Sequence, residues 1–310
     1  MPTRNLMNSS RLEAKGHDPH ARFIALHVIL LLCALAPDAG AQFATNLTLP
    51  KTNFLSLEPM QATVTITNRS GSDVVMSGAN QSNWLTFEIT DSIGRTVAPV
   101  GLVQQKPFIF KAGTTISEKV MISSFYGIDQ LGAYGMIANV YHPPSRQYYV
   151  SNRLRFNIMN SKPFWEAPVG VPAGYPDSGR IRRYALTIFR DVDKSNLYFR
   201  LFDDRSNQVR ATFELGPVSS TSEPEPFVDR DNTLHVFFLA LPKVYCYAKI
   251  GPDGKLKKRE YYKEVEGNRP AMLAGGDGTV PLRGGEFFDP SAPPPAKSKG
   301  RNVSERPPGL

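Results

Sequence analysis

Cysteine and histidine are scarce in this chain, and their scarcity argues against several kinds of site. The 310 residues contain two cysteines, Cys33 and Cys246, and five histidines, of which only His142 and His235 lie beyond residue 41. A structural zinc site needs four ligands, and a catalytic one needs three with an open position. No H-E-x-x-H, C-x-x-C or H-x-H pattern occurs. We therefore predict that the protein is not a zinc enzyme and needs no cofactor.

Motifs for nucleophilic and phosphate chemistry are also absent. The chain contains neither the G-x-S-x-G nucleophile elbow nor the G-x-x-x-x-G-K-[ST] phosphate loop. A Ser-His-Asp triad would have to recruit His142 or His235. The glycine-rich stretch 273–290 is not followed by a helical pattern whose N-terminus could bind phosphate, so its glycines indicate turns. These absences favour a protein that is not an enzyme.

No apolar run is long enough for a membrane span. The longest, Phe23–Ala36, has about 14 residues, whereas a spanning helix needs about 20. It follows a basic segment and precedes the small residues Ala39–Ala41, which is the order of a secretory signal peptide. A transmembrane anchor and a lipoprotein are the alternatives, although Cys33 lies inside the apolar run. We predict a signal peptide at 1–41 and an exported chain without a transmembrane span, located in the periplasm, on the outer cell surface or outside the cell.

The charge distribution argues against nucleic-acid binding. The formal net charge is +8, but residues 1–41 carry four basic and three acidic side chains, and residues 291–310 carry four basic and one acidic. About +4 remains for the residues between them, and these charges are interspersed, whereas nucleic-acid binders concentrate basic charge on one surface. The Pro-rich composition of residues 291–310 predicts a disordered basic tail.

Residues 42–160 show the alternation of short β-strands and no helical period. In QATVTITN (61–68), apolar residues alternate with threonines, and WLTFEIT (84–90) alternates in the same way. Turn signals such as His-Pro-Pro-Ser-Arg separate the strands. Seven to nine strands in about 115 residues are typical of an antiparallel β-sandwich.

One stretch makes the resemblance of this sandwich to known domains more specific. Leu131, Gly132 and Tyr134 precede a strand, as in the tyrosine corner of immunoglobulin-like domains, where the phenol ties a loop to the start of the strand. With the strand pair before it, this portion resembles bacterial exported immunoglobulin-like modules, over residues 45–160. The resemblance implies a fold and little about activity.

Residues 161–182 differ in composition from the segments on either side. Prolines and glycines are concentrated there, which predicts a linker or an extended strap between two domains. Trp165 lies in this segment. It either packs the strap against a neighbouring domain or forms an exposed platform for a sugar or peptide, so we take it as a candidate binding residue.

The second half of the chain repeats itself. Residues 196–217 align without a gap with residues 231–252, and both copies end in Gly-Pro. Residues 225–236 resemble residues 269–282. Repeats at offsets of about 35 to 46 residues indicate stacked or radial β units.

These repeats resemble the blades of sialidase-like and other β-propellers. The shared features are a proline, a short apolar strand, an Asp/Asn/Gly turn and the strand opening Leu-His-Val; GPDGKLKKREYY (251–262) resembles the hairpin of a blade's outer strands. A propeller uses four to eight blades of about 40–50 residues, and residues 184–290 suffice for two to three. We predict an all-β chain: an immunoglobulin-like antiparallel sandwich (42–160) and an antiparallel β-repeat domain (183–290) of two to three blade-like units, not a closed propeller. Completion of a ring by several chains is an alternative.

Four further residues are candidates for a site. His235 lies in DRDNTLHVFF (229–238), which fits a metal or catalytic site less well than a hairpin turn, because the repeat copies keep the turn residues and lose the histidine. Arg146, in the His-Pro-Pro turn, could be presented to a trypsin-like protease. Asp191 and Asp193 resemble the start of a calcium loop, but the loop's central glycine and closing glutamate are missing.

We predict a non-catalytic exported protein of a bacterial envelope that recognises or assembles with a protein or a surface polysaccharide. A β scaffold with loops and without a cluster of reactive groups suits this role. The resemblance to sialidase-like propellers implies an alternative, a carbohydrate-active hydrolase that uses two carboxyl groups. A protease inhibitor acting through the Arg146 loop is a second alternative.

Overall fold

The computed structural model describes residues 42–78, 83–101, 105–191, 194–273 and 280–291. The predicted signal peptide lies outside these residues, as do Asp193 and all of the predicted tail except Ser291. More than half of the described residues are in β-strands, and their only helical element is one 3₁₀ turn at Ile122–Ser124. No helix among them is long and apolar enough to cross a membrane. The all-β prediction is confirmed.

In the first half of the chain, residues 42–160, the described residues form ten strands, one more than the upper bound predicted. They are β1 Phe43–Thr48, β2 Asn53–Leu55, β3 Gln61–Asn68, β4 Val74–Met76, β5 Leu85–Asp91, β6 Phe108–Phe110, β7 Thr115–Met121, β8 Gly132–His142, β9 Gln147–Val150 and β10 Leu154–Met159.

Two sheets of the first half enclose one core. One sheet has the order β1-β3-β7, the other has the order β2-β10-β8-β5 with β9 paired to β8, and β4 and β6 form a separate two-stranded sheet. Ala62, Val64 and Ile66 of β3 point into the core, while the intervening threonines are partly exposed. This alternation, read from the sequence, places one face of each sheet in the core.

One strand pair departs from the predicted antiparallel arrangement. After β1 the chain crosses to the other sheet within residues 49–52, and β2 then pairs in parallel with β10. Strands joined by a hairpin are antiparallel. Here the chain changes sheets without a hairpin, and β2 runs in the same direction as β10. The prediction of a wholly antiparallel sandwich is therefore wrong at this edge.

Tyr134 makes the contact that its sequence position predicts. The Tyr134 hydroxyl donates a hydrogen bond to the backbone carbonyl of Gln130 at 2.8 Å, four residues upstream. Its ring stacks on Phe156 of β10, with centroids 5.4 Å apart. The phenol thus fixes the loop before β8 against the start of that strand, as a tyrosine corner does.

In the second half, residues 161–291, the part that the structure describes has eleven strands. They are β11 Trp165–Gly170, β12 Ile181–Asp191, β13 Lys194–Asp203, β14 Val209–Pro217, β15 Glu225–Val228, β16 Leu234–Leu241, β17 Val244–Ile250, β18 Leu256–Lys263, β19 Ala271–Met272, β20 Leu282–Arg283 and β21 Glu286–Phe288.

These strands form two meanders around a second core. One sheet has the order β11-β12-β13-β14 and the other has the order β15-β16-β17-β18-β21. Phe199 of β13 and Phe238 of β16 belong to the same buried cluster, so the two sheets pack on each other. Tyr184 ties them together because its hydroxyl lies 2.9 Å from the carbonyl oxygen of Asn232 and 3.2 Å from that of Gly251.

The sequence repeat corresponds to a repeated hairpin. In the gapless alignment, β13 and β14 fall on β16 and β17, and both pairs are antiparallel neighbours. The Pro/Gly-rich segment 161–182 is more than a connection, because six of its residues form β11, which pairs with β12 at the edge of the sheet.

The hydroxyl of Tyr134 gives the first testable prediction. Tyr134→Phe removes its hydrogen bond to Gln130 and keeps the ring stacking, so we expect a loss of about 0.5–1.5 kcal/mol in the free energy of unfolding, measured by urea denaturation. Tyr148→Phe is the control, because Tyr148 is half exposed. Equal stability of the two variants would contradict the role given to the Tyr134 hydroxyl.

Candidate functional site

The two halves of the chain meet on the outer face of the sheet that contains β13. Leu197, Phe199 and Leu201 point into the second core. Tyr198, Arg200 and Phe202 alternate with them and occupy the opposite face, which turns toward the first half. Residues 197–202 are therefore all buried.

Apolar and polar contacts cross this junction. Leu55 of the first half packs with Phe189 and Tyr198 of the second half in a small buried cluster. Beside it, Thr212 Oγ1 donates a hydrogen bond to the carbonyl oxygen of Ser56 at 2.9 Å. Within the second half, just after the boundary, Thr187 Oγ1 donates a hydrogen bond to the carbonyl of Lys162 at 2.9 Å.

Lys51 is the centre of the junction. Its Nζ lies 2.7 Å from Glu58 Oε1 and donates a hydrogen bond to the Tyr198 hydroxyl at 2.6 Å. The same ammonium lies 5.0 Å from the ring centroids of Phe54 and Tyr198 and 5.9 Å from that of Phe189. Aromatic rings attract a cation through their negative faces, which Phe54 and Phe189 can offer, whereas Tyr198 binds the ammonium through its hydroxyl.

Glu58 is the counter-charge of Lys51 and is almost fully buried. The exposed fraction of its side chain is 6%, against 15% for Lys51. Its second oxygen, Oε2, accepts a hydrogen bond from the backbone N–H of Leu55 at 2.9 Å. Burial raises the pKa of Glu58 above its usual value of 4.5, and the hydrogen bond and charge of Lys51 only partly oppose this.

The network ends on a second carboxylate. The Tyr198 hydroxyl donates to Glu214 Oε2 at 3.1 Å. Burial raises the pKa of Tyr198, and the negative charges of Glu58 and Glu214 raise it further, so the phenol stays protonated. Lys51 and Tyr198 thus connect Glu58 to Glu214 in one chain of hydrogen bonds across the junction.

This network lines an open cleft, which we call the junction cleft. Its volume is about 410 Å³, and its walls come from both halves: Pro50, Lys51, Phe54, Glu58, Pro59, Asp191, Lys194, Asn196, Phe213 and Glu214. Asp191 Oδ1 accepts a hydrogen bond from Asn53 Nδ2 at 2.7 Å, which is another contact between the halves. The cleft lies where two β-rich units meet, a common place for binding sites.

A second cleft, the arginine cleft, follows the same face of the sheet. Its volume is about 430 Å³, and it is lined by Asn160, Ser161, Lys162, Pro163, Glu166, Arg183, Arg200, Phe202 and Asn207. The guanidinium carbons of Arg183 and Arg200 lie 5.1 and 5.0 Å from the ring centroid of Phe202. Arg183 also donates to Asn207 Oδ1 and lies 3.6 Å from Glu166.

The structure places His235 inside a buried network rather than at a surface. The His235 side chain is on β16, and His235 is 3% exposed. Its Nε2 lies 2.9 Å from Asp229 Oδ2, and its Nδ1 lies 2.7 Å from the Tyr247 hydroxyl. Because a carboxylate only accepts, Nε2 donates to Asp229. Hydrogen bonds thus link Asp229 through His235 to Tyr247, as in a catalytic relay. The three side chains face one another within the protein, however.

Asp229 also shapes the turn before β16. Its Oδ1 accepts the backbone N–H groups of Asp231 and Thr233 at 2.9 and 2.8 Å, and Asn232 has the left-handed φ of 57°. Burial acts to raise the pKa of Asp229, but the hydrogen bonds from His235 and the backbone outweigh it and lower the pKa. These contacts fit the interpretation of DRDNTLHVFF as a hairpin.

The other predicted residues lie apart from both the junction cleft and His235. Arg146 is exposed in the turn between β8 and β9, with the left-handed φ of 54°. Trp165, half-buried, is the first residue of β11 and packs against the second core. Cys246 is buried, as expected from its apolar strand, and burial raises the pKa of its thiol to about 12.

Of the two calcium candidates, only Asp191 is among the described residues. Asp191 lines the junction cleft and is bonded to Asn53, while Asp193 lies outside the described residues. Within the described part of the chain, no three His, Cys, Asp or Glu side chains are grouped so as to hold a metal ion.

Apart from Asp191, the residues that line the two clefts were not among the candidates predicted from the sequence, although one signal was present. In Tyr198-Phe-Arg-Leu-Phe202 a single arginine interrupts an apolar run. Strands buried on both faces have such continuous apolar runs, so a charge within one marks a buried ion. Lys51 and Glu58 carry no comparable signal, because they lie in short connections on either side of β2.

The comparisons with known proteins supply no family. No family model matches the chain, and no curated protein matches it significantly.

Removing the central cation tests the junction network. Lys51→Met leaves Glu58 buried without its counter-charge, so we expect a loss of about 3–5 kcal/mol in the free energy of unfolding, measured by urea denaturation. The double variant Lys51→Met/Glu58→Gln removes both charges and should recover more than half of that loss. Lys119→Met is the control, because Lys119 is exposed on β7. An equal loss in single and double variants would contradict a pairing of Lys51 with Glu58.

The raised pKa of Glu58 gives a pH prediction. The folded chain holds this proton to a higher pH than the unfolded chain does, so the contribution of Glu58 to stability falls as the pH rises from 4.5 through the raised pKa. For Glu58→Gln, the free energy of unfolding, measured by denaturation at a series of pH values, should therefore lack this decrease with rising pH. The exposed Glu88→Gln should keep it, and an unchanged slope in Glu58→Gln would be the contrary result.

Proposed function

We propose that this chain is an exported, non-catalytic recognition protein that binds a protein or a surface polysaccharide of the cell envelope. The observation that carries the proposal is the junction between the halves. Buried polar and aromatic contacts hold two β-rich units together, and open clefts lie along the line where they meet. A preformed cleft with few convergent polar groups suits binding. Export is supported by the signal-peptide pattern of residues 1–41.

The state of the reactive side chains also supports recognition. In the junction cleft, Lys51, Glu58 and Tyr198 hydrogen-bond to one another. His235 is bonded on both ring nitrogens. Groups committed to structural contacts of this kind stabilise a scaffold, whereas a catalytic group must reach a substrate.

The architecture we propose for this role has two parts. The first is an immunoglobulin-like sandwich, supported by its two sheets around one core and by the Tyr134 contact. The second is a pair of blade-like units, supported by two meanders whose β13–β14 and β16–β17 hairpins align in sequence. The short pair β19–β20, in the third partial copy, would be the remnant of another unit.

A carbohydrate-active hydrolase is the second candidate, and one observation favours it. Glu58 and Glu214 line the same cleft, and the pKa of Glu58 is raised. Glycosidases use two carboxyl groups on either side of the glycosidic bond, and the general acid has a raised pKa.

One experiment separates the two candidates. The full chain is incubated with a panel of neutral and acidic polysaccharides, and both retention on the polymer and release of reducing ends are measured. Recognition predicts retention of the protein without release. Release that Glu58→Gln or Glu214→Gln abolishes would establish the hydrolase instead. If the protein is neither retained on a polysaccharide nor releases reducing ends from one, a polysaccharide partner is contradicted. A protein partner would then be the remaining form of the proposal to test.

A further inference from the structure

Arg200 is a buried cation without a charged partner. It is 2% exposed, and its Nη1 donates to Asn160 Oδ1 at 2.6 Å and to the carbonyl of Ser161 at 3.4 Å. Its buried Nε has no hydrogen-bond partner. Among the described residues, no carboxylate lies within 4.0 Å of the guanidinium, although other arginines of the same half have such partners.

This arrangement is costly in the absence of another charge. Moving an ion out of water costs several kcal/mol, and neutral hydrogen-bond acceptors recover only part of that cost. Burial accordingly lowers the pKa of Arg200. Arg200 lines the arginine cleft, so an anion entering the cleft would supply the missing charge at short range.

Arg183 and Phe202 give the cleft a defined geometry. Both guanidinium groups lie over the Phe202 ring. Stacking on an aromatic ring fixes the plane of a guanidinium and leaves its edge free to donate hydrogen bonds. The planar fork of N–H groups matches a carboxylate, which can accept two parallel hydrogen bonds.

The balance of charge favours a single negative charge. The lining contains three cations, Lys162, Arg183 and Arg200, and one anion, Glu166. Glu166 lies 3.6 Å from Arg183 and partly neutralises it. Lys162 is exposed, so water already solvates its charge. The uncompensated buried charge is therefore that of Arg200, and Glu166 at the rim would repel a doubly charged phosphate.

We propose that the arginine cleft binds the carboxylate of an acidic sugar unit within a polysaccharide. A volume of about 430 Å³ is suitable for one or two sugar units, and Asn160, Ser161 and Asn207 provide polar groups for hydroxyls. The cleft lies on a sheet face, where side chains make the contacts, so it does not offer the strand edge that a peptide uses when it extends a sheet. This inference rests on the proposed recognition function and names its ligand class.

The test measures binding of the full chain to a tetramer of galacturonic acid by titration calorimetry, with a tetramer of galactose as the neutral counterpart. We expect the acidic tetramer to bind at least about tenfold more tightly than the neutral one, and the affinity to fall with added salt. Arg200→Gln and Arg183→Gln should each weaken binding of the acidic tetramer by about tenfold or more. Glu166→Gln should strengthen it, because Arg183 is then free to pair with the ligand.

Two further variants keep the test decisive. Arg155→Gln is the matched control, because Arg155 is exposed on β10 of the first half, and its binding should equal that of the wild type. Arg200→Lys preserves the charge and removes the fork. Arg200→Lys should bind more weakly than the wild type, and it tests the role of Arg200 even if Arg200→Gln fails to fold.

The proposal is overturned if Arg183→Gln and Arg200→Lys bind the acidic tetramer as tightly as the wild type does. It is also overturned if galactose phosphate or a peptide with a free C-terminal carboxylate binds more tightly than the acidic tetramer. In the first case, retention on acidic polysaccharide would persist, so the recognition function would stand and only the assignment of the arginine cleft would fail. Loss of retention on every polysaccharide would instead count against polysaccharide recognition itself.

Discussion

The ammonium of Lys51 lies among a carboxylate, a phenol hydroxyl and three aromatic rings where the two halves of the chain meet. Lys51 and Glu58 come from the first half, while Tyr198 comes from the second, so the network forms only when the halves pack together. A buried ion pair is costly unless its geometry and additional hydrogen bonds are good. The position of the halves, and with it both clefts, therefore depends on this contact.

Two buried cations on the same face of the sheet are accommodated in different ways. Lys51 reaches a carboxylate, and its environment is complete within the chain. Arg200 reaches only a side-chain amide and a backbone carbonyl. The charge of Lys51 is balanced by Glu58, whereas Arg200 has no counter-charge and a buried Nε without a hydrogen-bond partner among the described residues. This difference distinguishes a structural cluster from a surface suited to an anionic ligand.

The strands were largely predictable, and the clefts were not. Alternation in 61–68 and 84–90 places the core residues correctly, because period-two patterns depend on neighbours along the chain. The repeat at 196–217 and 231–252 likewise predicts paired hairpins. The contact between Lys51 and Tyr198 joins residues far apart in sequence, and no local pattern encodes it. The parallel pairing of β2 with β10 was missed for the same reason, because no periodic sequence pattern marks the point where the chain passes from one sheet to the other.

Residues 197–202 of β13 are buried on both faces, because one side packs on the second core and the other turns toward the first half. The burial of this strand therefore depends on residues from both sides of the boundary drawn on the sequence. Cutting the chain near residue 160 would leave Tyr198, Arg200 and Phe189 on an open face, a mixture of rings and one strongly solvated ion. Such a fragment would carry an adhesive surface. Expression of the halves as separate proteins is therefore a poor route to either one.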